Sequence, residues 1–295
     1  MRFIDPEILS GISNLELLAR TVVEGFISGL HKSPYKGFSV EFLSYRPYIP
    51  GDDPMHIDWK LYARSDRLFI KQFQDETNTR CHILLDISNS MQYGSKSITK
   101  HRYASILAAS LAYFMIRQRD SVGLYLFDSE VREKTPTKST QGHLFSILHA
   151  LEKIFPPQGT EMSKPFHELA DLIKKRSIII IISDLLEEPE IIINGLKHFR
   201  FSGNDVIVFQ ILDPAEIDFH FKDIMEIEDM ESGEKIVIMA DEAREIYANN
   251  LEQFKSIMKN ECGLLGVDYN ILETTKPLDF ALFQCNCSPN PGPSF

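Results

Sequence analysis

The sequence predicts an α/β protein: a doubly wound, mostly parallel sheet with a small N-terminal α+β extension. Three observations carry this reading. From residue 81 onward, short β-branched or apolar runs alternate with longer stretches whose apolar residues recur at helical spacing. Two of the short runs, ending at Asp86 and Asp184, are apolar at consecutive positions, as strands covered by helices on both faces must be. The 295 residues are 43% hydrophobic, enough to bury a substantial core.

Taken in order, residues 81–86 (Cys-His-Ile-Leu-Leu-Asp) form the first main strand. Residues 101–119 place Ala104, Leu107, Ala108, Leu111, Phe114 and Met115 on one helical face. A strand follows over 121–127, a short edge strand over 131–135, and helices over 142–154 and 164–176. Residues 177–184 contain five consecutive isoleucines, which predicts a central strand. Residues 189–201 suit a helix ended by Gly203, 205–212 a strand, 241–264 a long helix and 267–274 a final strand. Between them, Glu231-Ser232-Gly233-Glu234 can close a hairpin.

Before residue 81 the texture changes. Residues 6–30 are helix-like, whereas 38–74 mix aromatics, arginines and turn residues around Pro50-Gly51-Asp52-Asp53-Pro54. The expected division is an extension over 1–80, a main domain over 81–284, and a disordered tail over 285–295 rich in Pro, Asn, Gly and Ser. Trp59, the only Trp, is expected to anchor the extension to the sheet.

Lys and Arg number 31 against 42 Asp and Glu, a net charge of −11. Wholesale attraction to nucleic acid or anionic lipid needs a basic field, so neither is expected as a partner. The excess is local, with ten acids and three bases in residues 218–245. Acid and proline at Asp5-Pro6-Glu7 interrupt the apolar stretch that a secretion signal requires. The longest apolar stretches fall short of the roughly 20 residues of a membrane span. The expectation is a soluble, cytoplasmic chain without membrane insertion. Cys81, Cys262, Cys285 and Cys287 form no CxxC pair and read as reduced thiols.

The chemistry gathers where the first main strand ends, at Asp86-Ile87-Ser88-Asn89-Ser90. One carboxylate and two hydroxyls at this spacing can be turned toward one point by a tight loop, and such hard oxygens suit Mg²⁺ or Mn²⁺. Read alone, the pattern is weak and a capped loop describes it better, since Ser and Asp favour turns and helix N-caps. Asp184 ends a second strand and Thr160 lies in the loop Gln158-Gly159-Thr160-Glu161. In a doubly wound sheet, ligands bind outside the carboxyl ends of the strands where the winding reverses. Neighbouring strands there would bring Asp86, Ser88, Ser90, Thr160 and Asp184 together.

That set resembles the metal-ion-dependent adhesion site of von Willebrand factor A-like domains. The stretch from Tyr45-Arg46-Pro47 through Gly51-Asp52-Asp53-Pro54 to Asp58-Trp59-Lys60, followed by Ala63-Arg64, resembles the bacterial family catalogued as domain of unknown function 58. The resemblance implies a von Willebrand factor A-like, Rossmann-type fold. It also implies that Ser88 and Ser90 ligate the metal through their hydroxyls, with Asp86, Thr160 and Asp184 doing so directly or through water. One coordination position would remain for an Asp or Glu of a protein partner, and few protein charges would surround the ion. Because family members often accompany MoxR-type AAA+ ATPases, the implied role is an adaptor or chaperone-like co-factor in complex assembly or stress tolerance. A Mg²⁺-dependent hydrolase of phosphate esters is the alternative; it would want several carboxylates and a base beside the metal, and D-x-S-x-S offers one carboxylate. No GxxxxGK[ST] loop is present either.

Overall fold

The five isoleucines at 178–182 lie where their shape and apolarity place them, in the middle of a sheet covered on both faces. The computed structural model describes residues 14–32, 44–49, 59, 61–62, 67–72, 79–153, 162–218, 224–228, 235–278 and 281–282. The chain divides into two units, Met1–Ser28 with Thr79–Phe295, and Gly29–Asn78.

In the larger unit, six strands are ordered β10-β7-β6-β3-β4-β5. They are β3 (Arg80–Asp86), β4 (Ser121–Phe127), β5 (Val131–Lys138), β6 (Ile178–Ser183), β7 (Asp205–Leu212) and β10 (Asp268–Glu273). All pairs are parallel except β4 with β5, which is antiparallel. From β3 the chain winds outward through β4 to β5, then returns to β6 on the other side of β3 and continues outward through β7 to β10. The winding therefore reverses between β3 and β6. This is the doubly wound α/β sheet that the sequence predicts.

The edge strand β5 runs three residues beyond the predicted 131–135. Its register against β4 shifts at two places, and it carries Lys134, Pro136 and Lys138. Shifts, lysines and a proline each blunt an open edge against further pairing.

The helices α2 (Lys100–Arg117), α3 (Gln141–Leu151), α4 (Ser163–Leu172) and α5 (Pro189–Phe201) follow β3, β5, α3 and β6 in the chain. Phe166 on α4 sits between Phe127 and Phe199, edge-to-face with each at 5.7 Å. Gly195 on α5 lets that helix approach; a Cβ there would meet Phe166 Cδ2 at 2.3 Å. A short helix α6 (Pro214–Asp218) follows β7, and the long helix α7 (Ala240–Leu265) leads into β10.

The N-terminal helix α1 (Leu15–Lys32) belongs to this unit through residue 28. Asn14 caps it, accepting the Leu17 N–H through Oδ1 at 3.0 Å. Its buried face, Leu15, Leu18, Ala19, Val22, Val23 and Phe26, repeats at helical spacing, and Phe26 meets Phe114 of α2 edge-on at 6.0 Å. This helix matches the helix-like character of residues 6–30, and through residue 28 it belongs to the main unit.

In the smaller unit, β1 (Ser44–Pro47) pairs antiparallel with β2 (Phe69–Gln72). Trp59 is 60% exposed, with Tyr62 edge-on at 6.1 Å; an amphipathic ring is stable at a wet surface. The turn at residues 50–54 lies outside the described residues, as does the tail over 285–295.

The acidic segment does fold back on itself. Strands β8 (Ile224–Glu228) and β9 (Lys235–Met239) pair antiparallel with Glu228 opposite Lys235, and the Glu231–Glu234 turn lies outside the described residues. Among the described residues, no helix is long and apolar enough to cross a membrane.

Candidate metal centre

Neighbouring parallel strands bring the two carboxylates to the same end of the sheet. Leu85 pairs with Ile182, so Asp86 ends β3 beside Ser183, the last residue of β6, and Asp184, which follows it. Asp86, Ser88, Ser183 and Asp184 have no exposed surface, and Ser90 retains 6%.

The loop after β3 is shaped by Asp86 itself. Its Oδ1 accepts the Ser88 N–H at 2.9 Å, the Asx turn that this side chain favours. A turn of 3-10 helix, Asn89–Gln92, follows at once. It sets the Ser88 and Ser90 Oγ atoms 3.1 Å apart, both buried. The other Asp86 oxygen accepts from Ser183 Oγ at 2.6 Å, and the same Oγ accepts the Leu185 N–H at 2.9 Å. Leu185 has φ +56, one of two non-glycine residues with positive φ among those described. Left-handed backbone of this kind costs on the order of 1–3 kcal/mol for a branched residue and is found where the surroundings hold the chain to one shape.

Two buried carboxylates this close repel. Burial first, and the Asp184 charge second, push the Asp86 carboxyl up to about 7, against the opposing hydrogen bonds from Ser183 and Ser88. Asp184 has a cation of its own. Lys100, the first residue of α2, places Nζ 2.8 Å from Asp184 Oδ2 and 2.6 Å from Glu216 Oε1. Its ammonium lies 5.9 Å from the centre of the Tyr93 ring. Burial alone would lower the Lys100 pKa, but the Asp184 and Glu216 charges outweigh it and leave it raised. Glu216 is raised by its burial despite the Lys100 charge. Its second oxygen accepts the Asp213 N–H at 2.7 Å while Asp213 Oδ1 accepts the Ala215 N–H at 2.9 Å, so α6 opens on a capping box. Asp213 also holds the Ser95 N–H at 2.9 Å and accepts from the Ser95 hydroxyl.

The structure therefore gathers Asp86, Ser88, Ser90 and Asp184, while Thr160 lies outside the described residues. It also corrects the expectation that few protein charges surround the site, because Lys100 and Glu216 are built into it. Among the described residues, no group of three or more His, Cys, Asp or Glu side chains is arranged to hold a metal. A D-x-S-x-S centre lies outside that pattern because two of its three donors are hydroxyls. The donor chemistry fits a small hard cation: adjacent corners of an octahedron with bonds of about 2.1 Å are about 3.0 Å apart. The two serine hydroxyls hydrogen-bond to each other at 3.1 Å, a separation that such an edge accommodates.

Sequence reasoning missed Lys100, Ser183 and Glu216, though each leaves a signal. Ser183 directly precedes Asp184 at a strand end. Asp213-Pro214-Ala215-Glu216 reads as a capping box with Pro at the first helical position. Lys100 opens a helix, where the macrodipole disfavours a cation.

A family model described as "Protein of unknown function DUF58" matches residues 44–256. The uncharacterized protein Rv1480 of Mycobacterium tuberculosis is 23% identical over 234 residues, which cover 78% of this chain and 73% of its own length. Among solved structures, the conserved hypothetical protein BatB from Bacteroides thetaiotaomicron aligns over 70% of this chain and 96% of its own, with a TM-score of 0.48 and 18% identity. The SpRpn10 VWA domain aligns over 72% and 95%, with a TM-score of 0.40 and 15% identity.

Proposed function

This chain belongs to the DUF58 family, and on that premise we propose that it is a non-enzymatic, metal-dependent protein-binding module. The observation that carries the reading is the gathering of two buried, mutually hydrogen-bonded serine hydroxyls beside two buried carboxylates at the switch point of the sheet. Ser88 and Ser90 would hold Mg²⁺ or Mn²⁺ through their hydroxyls, with Asp86, Thr160 and Asp184 completing the set directly or through water. When bound, the ion supplies an electrophilic point that an Asp or Glu of a protein partner can fill.

The surrounding carboxylates support binding over catalysis. Asp86 accepts hydrogen bonds through both oxygens, and Asp184 and Glu216 share the Lys100 ammonium, so each carboxylate is engaged by the protein's own groups. The partner that the family resemblance favours is a MoxR-type AAA+ ATPase, with this chain as its adaptor or chaperone-like co-factor in the cytoplasm.

Titration of the purified protein with Mg²⁺ and Mn²⁺, alongside Asp86→Ala, tests the metal assignment. Saturable heat from the wild type and none from Asp86→Ala is the expected result, and equal heats would sink it. Affinity capture from native cells with and without chelator tests the partner; an AAA+ ATPase should be retained only when divalent metal is present.

A further inference from the structure

Lys100 stands against a local rule. It is the first residue of α2, where the aligned peptide dipoles repel a cation, and its side chain is 1% exposed. Two carboxylates account for its position. One is Asp184 Oδ2 at 2.8 Å, an oxygen of a proposed metal ligand; the other is Glu216 Oε1 at 2.6 Å. Glu216 is in turn fixed by the Asp213 N–H at 2.7 Å. Among the described residues, the remaining Asp184 oxygen accepts a long contact from the Leu186 N–H, at 3.4 Å.

From this geometry we infer that Lys100 is a tethered cation that competes with the divalent ion for Asp184, and that Glu216 sets the strength of that competition by drawing the ammonium toward itself. The inference rests on the proposed metal site and concerns its tuning. A buried carboxylate needs a positive charge beside it. Asp184 has one in the protein's own ammonium, so a metal entering the site gains less from Asp184 than it would from an unpaired carboxylate, and it is also repelled by Lys100 across a short, poorly screened distance. Glu216 offsets part of that repulsion. The two side chains should therefore move metal affinity in opposite directions, which a shared structural role would not do.

The test measures Mg²⁺ by calorimetry and Mn²⁺ by the electron paramagnetic resonance signal of the free ion. The proteins are wild type, Lys100→Gln, Lys100→Arg, Glu216→Gln and Asp86→Ala, each checked for folding by circular dichroism. Lys100→Gln should bind both ions at least tenfold more tightly than wild type, Lys100→Arg no more tightly, and Glu216→Gln several-fold more weakly. Should Lys100→Gln not fold, Lys100→Met takes its place as an uncharged side chain of similar length.

Weaker binding in both the Lys100 and Glu216 neutral variants would make Lys100 a structural support and overturn the inference. Equal affinity in wild type and Lys100→Gln, with Asp86→Ala inactive, would overturn it while leaving the metal site intact. No binding by any of the proteins would remove the metal site and the inference together.

Discussion

Replacing Asp86 by Asn should make the metal-free protein more stable and abolish its response to metal. The Asp86 carboxyl is fully buried and its pKa is pushed up to about 7, first by burial and then by Asp184. In the unfolded chain the same group titrates at about 3.9. A carboxyl with a raised folded-state pKa favours folding only while it is protonated, so stability is lost as pH rises from about 4 through 7. Above that window the penalty is at most about 4 kcal/mol, at 1.36 kcal/mol per unit. Asn carries no charge, its carbonyl can still accept the Ser88 N–H, and its amide can donate to Ser183 Oγ, which the carboxylate cannot do. At pH 8 in chelator, Asp86→Asn should therefore be more stable than wild type by about 2–4 kcal/mol, a rise of several degrees in Tm. Mg²⁺ at a hundredfold excess over its Kd should stabilise the wild type by about 2.7 kcal/mol and the variant not at all. Scanning calorimetry with chelator and with Mg²⁺ reads both effects. A variant that melts below wild type in chelator and gains as much from Mg²⁺ would refute the reasoning.

Three further outcomes follow from the packing. His82 is buried against Tyr125 at 5.6 Å, its Nδ1 has no hydrogen-bond partner among the described residues, and burial, with the Arg80 charge, lowers its pKa to about 4. Only the unfolded chain takes up that proton between about 6.5 and 4, so acid should cost about 2 kcal/mol between pH 7 and pH 5; urea unfolding of His82→Phe should lose this slope, and an unchanged slope would show that His82 is not its source. Gly195→Ala should cost about 1–3 kcal/mol through the Phe166 ring, less about 1 kcal/mol of gained helix propensity, with Phe166→Leu restoring most of the loss; a stabilised single variant would contradict the close approach. Arg119 has φ +68 just past α2, where the Asp120 and Arg119 N–H groups bond the Met115 and Ile116 carbonyls at 3.0 Å each, the Schellman arrangement that favours glycine. Arg119→Gly should raise stability by up to about 1 kcal/mol, and a lowered Tm would count against this account.

The strands and helices of the larger unit were legible because their signals are local. Five isoleucines in a row, apolar residues at helical spacing in α2, and Gly203 closing α5 at φ +80 each act within a few residues of themselves. The D-x-S-x-S loop was legible for the same reason, since Asp86 bonds the Ser88 N–H two residues on. The order of the strands, which sets Asp86 beside Ser183, follows from where crossovers return, and no single segment encodes that. The exposure of Trp59 and the packing of α1 on α2 are likewise decided by what else competes for the same surface.

By itself, then, the amino-acid sequence determined the α/β class, the elements of the doubly wound sheet and the strand-end position of a candidate oxygen-rich centre. Only the tertiary structure decided the electrostatics of that centre. Lys100 lies 84 residues before Asp184 and Glu216 lies 116 residues after Lys100, yet the three meet within 2.8 Å contacts. The charge a metal ion would meet there is a sum over groups that burial brings together, and burial is a property of the whole fold.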